Sequence, residues 1–242
     1  MSKPFLVIQL RPEDETATNE LEAIRRYGSL SEEEVVRVRA EVAGLPELDL
    51  NHYSAVIVGG SPFDVSSENK LAIQRQIERD FFRLFDEIKK RDFPFLGCCS
   101  GNGLLGHYCG AVISKKYGEP VGGVFVSLTD DGKADPLLEG FPKDFRVLLG
   151  HKEACDDVPP ETTLLVRGED CPVQMFRLKQ NIYATQFHPE GDIAGFTLRI
   201  NVYRKHGYFP PEEADSLIRS LQGERVAHSN LILKRFVERY RS

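Results

Sequence analysis

The amino-acid sequence predicts an α/β protein with an open, mostly parallel sheet flanked by helices. Short apolar runs at residues 5–10 and 53–58 have the continuous pattern of strands buried on both faces of a parallel sheet. Longer segments between such runs carry apolar residues at helical spacing. Glycine-rich turns follow several of the strands, at the edge where open sheets bind ligands.

In the first part of the chain, the period of the apolar residues separates helices from strands. Helical spacing predicts one helix over residues 18–26 and another from Ser66 or Ser67 to about residue 90. Alternating valines and charged residues instead predict a strand between residues 36 and 42.

In the second part, strands and helices continue to alternate. The predicted elements are strands at 93–96, 121–128, 145–149 and 182–187, a turn at 130–132, a loop at 135–142, and helices opening at Pro210 and spanning 231–240. The helix at Pro210 has proline and acidic residues in its first turn, where both are favoured.

A sharp turn, Gly-Cys-Cys-Ser-Gly at residues 97–101, separates the strand at 93–96 from a predicted helix. A strand, a tight turn and a helix are the pattern of a nucleophile elbow, in which a Cβ on either flanking glycine would clash. Cys99 is then the residue at its tip. Unpaired amides at the helix N-terminus would favour the thiolate of Cys99 over the thiol.

A second motif, His188-Pro189-Glu190, ends the strand predicted at residues 182–187. At that strand end, His188 can face Cys99 as a general base while Glu190 holds the tautomer of the imidazole. His151 also follows a predicted strand, but no carboxylate trails it in the same way, so substrate contact or packing is the better prediction for it.

A third motif, Val-Ile-Val-Gly-Gly-Ser-Pro at residues 56–62, opens a strand into a glycine-rich turn. Together the three motifs resemble the class I glutamine amidotransferase family, including its glutaminase domains of the GMP synthase type. The resemblance implies a flavodoxin-like three-layer sandwich and a triad of Cys99, His188 and Glu190. It also implies an oxyanion hole built from the backbone amides of Gly60 and Ser100.

The resemblance further implies the chemistry. Cys99 would attack the amide carbon of glutamine, or of another γ-glutamyl small molecule, to form a γ-glutamyl thioester that water cleaves. The chain departs from the family at Gly103, where a glutamine that helps to hold the substrate commonly stands. The sequence carries no phosphate-binding loop that would activate an acceptor, so any synthetase is expected to be a separate subunit.

The sequence therefore leaves three functions open. The leading one is a glutamine amidotransferase or glutaminase, and the second is a stand-alone γ-glutamyl hydrolase or peptidase with the same triad. A non-catalytic regulator of the same fold is the third, and the intact set of Cys99, His188 and Glu190 counts against it.

Composition limits the partners and the compartment. A net charge of −6 argues against nucleic acid or an anionic membrane as a partner. With no apolar run of about 20 residues and no signal-peptide pattern, we expect a cytoplasmic protein.

Five cysteines imply no disulfide framework, and the spacing of Cys98, Cys99, His107 and Cys109 does not suit zinc, so we expect no metal or cofactor.

Two units are expected along the chain. Residues 1–206 would form the class I glutamine amidotransferase-like domain, and residues 207–242 a helical extension packed on it. The extension carries no recognisable active group, so it would pack on the core, cover the site or form a homodimer.

Overall fold

The computed structural model describes residues 3–204 and 209–241. The strands within these ranges are β1 (Phe5–Gln9), β2 (Val35–Arg39), β3 (Val56–Val58), β4 (Phe95–Cys98), β5 (Ile113–Ser114), β6 (Glu119–Leu128), β7 (Asp144–His151), β8 (Ala154–Cys155), β9 (Thr162–Gly168), β10 (Met175–Leu178) and β11 (Ile182–Thr185). The α-helices are α1 (Asp14–Gly28), α2 (Ala40–Ala43), α3 (Ala72–Arg91), α4 (Ser100–Tyr108), α5 (Asp130–Ala134), α6 (Ile193–Tyr203), α7 (Ala214–Ser220) and α8 (Ala227–Tyr240).

Nine strands form one mixed sheet in the order β2-β1-β3-β4-β11-β10-β9-β6-β7. Neighbours from β2 to β11 pair in parallel, and neighbours from β11 to β7 pair in antiparallel fashion. Strands β5 and β8 form a separate two-stranded sheet. The predicted α/β class, with a mostly parallel sheet flanked by helices, is confirmed.

Two apolar cores cover the two faces of the sheet, because successive side chains of a strand point to opposite faces. In β1, Phe5 and Val7 join the core that contains residues of α8, whereas Leu6 and Ile8 join the core that contains residues of α3. All four are almost completely buried. This explains why β1 reads as a continuous apolar run.

Helix α3 begins later than predicted, at Ala72 instead of Ser66 or Ser67. The carboxylate of Glu153 accepts hydrogen bonds from the amides of Val65 and Ser66, at 2.5 and 2.8 Å. These bonds hold the segment before the helix as a loop.

Two other predicted elements also change. The predicted turn at 130–132 lies in the short helix α5, which Thr129 caps by accepting a hydrogen bond from the Gly132 amide at 2.9 Å. The strand predicted between 36 and 42 ends at Arg39, and helix α2 follows. Val42 therefore lies in that helix, and it is exposed.

The C-terminal helices were predicted in part. A 3₁₀ turn (Pro211–Glu213) leads from Pro210 into α7, and α8 contains the helix predicted at 231–240. Side chains of α8 belong to the same core as Phe5 and Val7 of β1. The expected domain boundary between residues 206 and 207 lies outside the described residues.

Candidate active site

The elbow turn places Cys99 at the junction of β4 and α4 in a left-handed backbone conformation, with φ 55° and ψ −93°. Its amide donates to the carbonyl of Thr185 at 2.8 Å. A Cβ on Gly97 would lie 2.7 Å from the backbone carbon of Gly101, so the turn requires glycine there. At Gly101 the nearest atom to such a Cβ is 3.4 Å away, so the predicted clash is weaker at this flank.

His188 and Glu190 form a buried pair just after β11. Glu190 Oε1 accepts a hydrogen bond from His188 Nδ1 at 2.6 Å, and both side chains are at most 5% exposed. The proton on Nδ1 leaves Nε2 as the basic nitrogen. His188 and Cys99 line the same cavity.

Burial lowers the pKa of His188, and the neighbouring Glu190 carboxylate offsets part of that effect. Burial alone would raise the pKa of Glu190, but the interaction with His188, including its hydrogen bond, holds that pKa below its ordinary value, with Arg199 adding to the effect. The imidazole is therefore suited to be neutral at rest and to accept a proton.

The thiol of Cys99 differs from the expectation based on the helix N-terminus. Burial raises its pKa to about 12, and the positive charges of Arg11 and Arg199 counter this only in part. At neutral pH the resting group is a thiol, so Cys99 needs a base to become a nucleophile.

The two predicted oxyanion donors differ in their surroundings. Ser100 is the first residue of α4, so its amide is one of the N–H groups that have no acceptor within the helix. The amide of Gly60 instead donates to Glu20 Oε1 at 3.0 Å. Gly60 can serve an oxyanion only after that bond opens.

A buried charge network, which the sequence analysis did not predict, lies beside the His188–Glu190 pair. Arg199 Nη2 donates to Glu190 Oε1 at 3.1 Å, and Arg11 Nε donates to Glu20 Oε1 at 2.7 Å. Glu20 Oε1 lies 4.0 Å from Arg199 Nη2. One carboxylate thus connects the turn at Gly60 with the arginine that holds Glu190. The sequence signal was an arginine directly after an apolar strand.

The predicted substrate contacts, Gly103 and His151, line a cavity beside Cys99 that we call the Gly103 cavity (Phe63, Gly103, His151, Lys152, Glu153, Gln186). A Cβ on Gly103 would lie 3.7 Å from Val65 and 3.9 Å from Glu153, so the position has room for a side chain. His151 Nε2 lies 2.9 Å from Glu119 Oε2, and Nδ1 lies 3.0 Å from the carbonyl of Glu153. Each ring nitrogen of His151 therefore has a hydrogen-bond partner within the protein.

A second cavity, which we call the Arg11 cavity (Arg11, Val121, His188, Phe196, Ile200, Phe209), also borders Cys99. Ser61, Cys99 and Gly150 line both cavities. Cys99 therefore borders both cavities.

One group of potential metal ligands occurs in residues 3–204 and 209–241, formed by Glu119, His151 and Cys171, whose ligand atoms lie within 4.8 Å of one another. All three residues are buried, and Gln174 Nε2 donates to Glu119 Oε2 at 2.6 Å. His151 bonds to Glu119, whereas the thiol of Cys171 donates to the carbonyl of Val173 at 3.7 Å. The cysteines and histidine that were weighed for zinc do not belong to it.

No helix in the described part of the chain is both long and apolar enough to span a bilayer.

Comparison with known proteins gives consistent relatives. The profile of the family "Glutamine amidotransferase class-I" matches residues 17–197. A glutamine-hydrolyzing GMP synthase from Thermosipho africanus is 30% identical over 138 residues, 57% of this chain and 24% of that protein. One of the subunits of the glutamine-hydrolyzing GMP synthase from Pyrococcus abyssi is 26% identical over 147 residues, 60% of this chain and 71% of that protein.

Solved structures agree on the fold. A glutamine amidotransferase from Thermotoga maritima superposes with a TM-score of 0.76 at 24% identity, covering 97% of this chain and 98% of that one. A glutamine amido transferase from Methylobacillus flagellatus gives a TM-score of 0.75 at 16% identity, covering 99% of this chain and 94% of that one. The match to the Thermosipho africanus protein spans about a quarter of that relative's length.

Proposed function

Because the chain belongs to the class-I glutamine amidotransferase family, we propose that it is a cysteine-dependent enzyme that hydrolyses a γ-glutamyl amide, with glutamine as the leading substrate. The observation that carries the proposal is the meeting of three strand ends. The sheet order places β4 between β3 and β11, so the turn at Gly60, the nucleophile Cys99 and the base His188 lie at one edge.

In the proposed mechanism, His188 Nε2 accepts the thiol proton as Cys99 Sγ attacks the amide carbon. The resulting oxyanion is stabilised by the amide of Ser100, and by the amide of Gly60 once it is released from Glu20. His188 then returns the proton to the leaving nitrogen, the carbon–nitrogen bond breaks, and a γ-glutamyl thioester remains. Water, deprotonated by His188, hydrolyses the thioester and restores the thiol. Glu190 orients the imidazole throughout.

A stand-alone γ-glutamyl hydrolase or peptidase is the second candidate. The room at Gly103 favours it, because the side chain that commonly holds the substrate in the family is missing there. A regulator without catalysis is less well supported, since all three proposed triad residues are present and the His188–Glu190 hydrogen bond is formed.

We also propose partners and a compartment. The Pyrococcus abyssi relative is one subunit of a GMP synthase, which supports a separate synthetase subunit for this chain too. A cytoplasmic location fits the acidic composition. A homodimer through the C-terminal helices stays a prediction.

An electrophilic glutamine analogue, such as its chloroketone, tests the function directly. We expect the intact mass to increase by one adduct on the wild-type protein and not on Cys99→Ala, and we expect ammonia and glutamate to be released from glutamine or from a γ-glutamyl amide. Cys98→Ser is the matched control and should still be labelled. Labelling of Cys99→Ala to the same extent would contradict the proposal.

A further inference from the structure

The two cavities that border Cys99 can each bind a different part of the substrate. His188 lines the Arg11 cavity, whereas His151 lines the Gly103 cavity. The base that takes the thiol proton must return it to the leaving nitrogen, which therefore lies next to His188. On the proposed function, the γ-glutamyl group then occupies the Gly103 cavity and the leaving amine occupies the Arg11 cavity.

The lining of the Arg11 cavity suits a leaving group larger and more apolar than ammonia. Its walls are mostly apolar, with Val121, Phe196, Ile200 and Phe209 among them. Ammonia would gain little from such walls, because it has no apolar surface to bury. An amine that carries a short apolar side chain would gain from these walls, because it has apolar surface to bury.

Arg11 supplies one polar edge to this cavity. The residue is only 4% exposed, and two of its nitrogens are held in place: Nε donates to Glu20 at 2.7 Å, and Nη1 donates to the hydroxyl of Tyr203 at 3.1 Å. Within the ranges that the structure describes, no residue accepts a hydrogen bond from Nη2. Arg11 lines the cavity, and a guanidinium nitrogen that is not already engaged suits a carboxylate.

The free edge of Arg11 also lies next to the catalytic base. A Cβ placed on Gly60 would be 2.3 Å from Arg11 Nη2 and 2.9 Å from His188 Cε1. A group bound to Nη2 is therefore a neighbour of the nitrogen that His188 protonates. An α-amino acid has its carboxylate one carbon away from its nitrogen, which matches this arrangement.

The cavity also limits the size of the leaving group. About 450 Å³ of space lies between its lining atoms, part of it open to solvent, which is at the small end of the range for ligand pockets. A short side chain, as in alanine or valine, suits this space better than a long one.

We propose that the Arg11 cavity is a leaving-group subsite and that the substrates are γ-glutamyl amides of small apolar α-amino acids, with the free carboxylate bound to Arg11 Nη2. This rests on the proposed hydrolysis of a γ-glutamyl amide by Cys99, and it favours the second candidate, a γ-glutamyl peptidase, over a glutaminase. The amide bond between the γ-carbon and the leaving nitrogen breaks as the thioester to Cys99 forms, the proton from the thiol passes through His188 to the leaving amino acid, and water releases glutamate.

The test compares glutamate release by the wild-type protein from glutamine, γ-glutamylalanine and γ-glutamylalanine amide. The first two differ in the leaving group, and the last two differ only in the carboxylate. We expect kcat/KM for γ-glutamylalanine to exceed that of the other two by about tenfold or more, as for a lost hydrogen bond to a charged group. This comparison needs no variant.

Arg11→Lys then tests the role of Arg11, because it keeps the positive charge beside Glu20 and removes the Nη2 donor. We expect the preference for the free carboxylate over the amide to fall to about twofold, whereas glutamine turnover changes less. Thermal unfolding and glutamine turnover of the variant establish that it is folded. Tyr203→Phe, which leaves Nη2 in place, should keep the preference.

The outcomes separate the two proposals. If none of the three compounds releases glutamate, the proposed function itself fails. If kcat/KM for glutamine or for γ-glutamylalanine amide equals that for γ-glutamylalanine, the leaving-group subsite is wrong while the proposed function stands. If the carboxylate preference survives Arg11→Lys, the role of Arg11 is overturned.

Discussion

The two adjacent cysteines at the elbow have different environments. Cys98 is the last residue of β4 and is 1% exposed in the core, whereas Cys99 is in the turn and lines both cavities. We expect Cys99→Ala to abolish turnover and Cys98→Ser to keep most of it, measured as ammonia or glutamate release. His188→Ala should be nearly as damaging as Cys99→Ala, whereas Glu190→Gln should retain some activity. Equal loss in both cysteine variants would refute the assignment of the nucleophile.

Ionisation of the nucleophile gives a second prediction at this scale. Burial raises the pKa of Cys99 to about 12, so its thiolate is scarce at neutral pH and becomes more abundant as pH rises. We expect the rate of Cys99 alkylation by iodoacetamide to increase by about tenfold per pH unit from pH 8 to 10. Parallel measurement on Cys99→Ala subtracts the other thiols. A rate that is already constant above pH 7 would show a preformed thiolate instead.

At the residue scale, the sequence predicted groups that follow strands directly and missed groups that act through distant partners. Cys99, His188 and Glu190 belong to short local motifs. Arg199 contacts Glu190 from the next helix, and Arg11 contacts Glu20 across a turn of the chain. The position of Arg11 directly after an apolar strand is a local signal, but no such signal distinguishes Glu20 or Arg199 from a solvated charge. The hydrogen bond from the Gly60 amide to Glu20 could not be predicted for the same reason.

The elements were predicted best where they are long or fully buried. Strand β1 and helix α3 have clear apolar periods. Strands β9 and β10 and helix α6 were not predicted. β9 alternates only weakly because part of it is half-buried, and α6 is apolar over most of its surface, so neither has a clean period. Tertiary packing decides these segments.

The elbow between β4 and α4 should tolerate no side chain at Gly97. A Cβ there would lie 2.7 Å from backbone atoms of Gly101, which cannot move away cheaply. We expect Gly97→Ala to lower the free energy of unfolding by ~1–3 kcal/mol and to reduce turnover. Gly103→Ala is the control on the adjoining helix, since its Cβ would make ordinary contacts at 3.7 Å. Urea unfolding compares them, and equal stability of the two variants would contradict the proposed clash.

The start of helix α4 also bears on substrate affinity, through Gly103. Loss of a hydrogen-bonding partner in a buried site costs about 1–3 kcal/mol, so we expect weak binding of free glutamine and a KM of roughly a millimolar or more. Gly103→Gln should not restore tight binding. The carboxylate of Glu153 lies 3.9 Å from the new Cβ and is already bonded to the amides of Val65 and Ser66. Steady-state ammonia release from glutamine by the wild-type protein and Gly103→Gln measures both KM values. A sub-millimolar KM in the wild type would contradict the predicted weak binding.

At the scale of the whole molecule, the parallel half of the sheet assembles the site. β3, β4 and β11 are neighbours that run in one direction, so their carboxyl ends coincide. Residues 60, 99 and 188, which are far apart in sequence, therefore meet at one edge. Motif order together with the family resemblance was enough to predict that meeting. The antiparallel half adds His151, at the end of β7, to the Gly103 cavity.

The C-terminal helix contributes to this arrangement through the core, which gives the last prediction. Phe236 of α8 is fully buried and stacks edge-on against Tyr183 of β11 at 6.4 Å between ring centroids, two residues before the end of the strand that leads to His188. We expect Phe236→Ala to lower the free energy of unfolding by ~3–5 kcal/mol, because it removes a large side chain and leaves a cavity.

Phe125→Ala is the matched control for Phe236→Ala. Phe125 is 63% exposed, so the same substitution should cost less than ~1 kcal/mol, mostly from its contact with Arg146. The free energies of unfolding of both variants are compared by urea unfolding, with the same dependence on urea concentration (m-value) used for both. If residues 209–241 instead behave as a dispensable extension, the two variants will be equally stable. A large loss in Phe236→Ala alone means that α8 is part of the core on which β11, and with it the position of His188, depends.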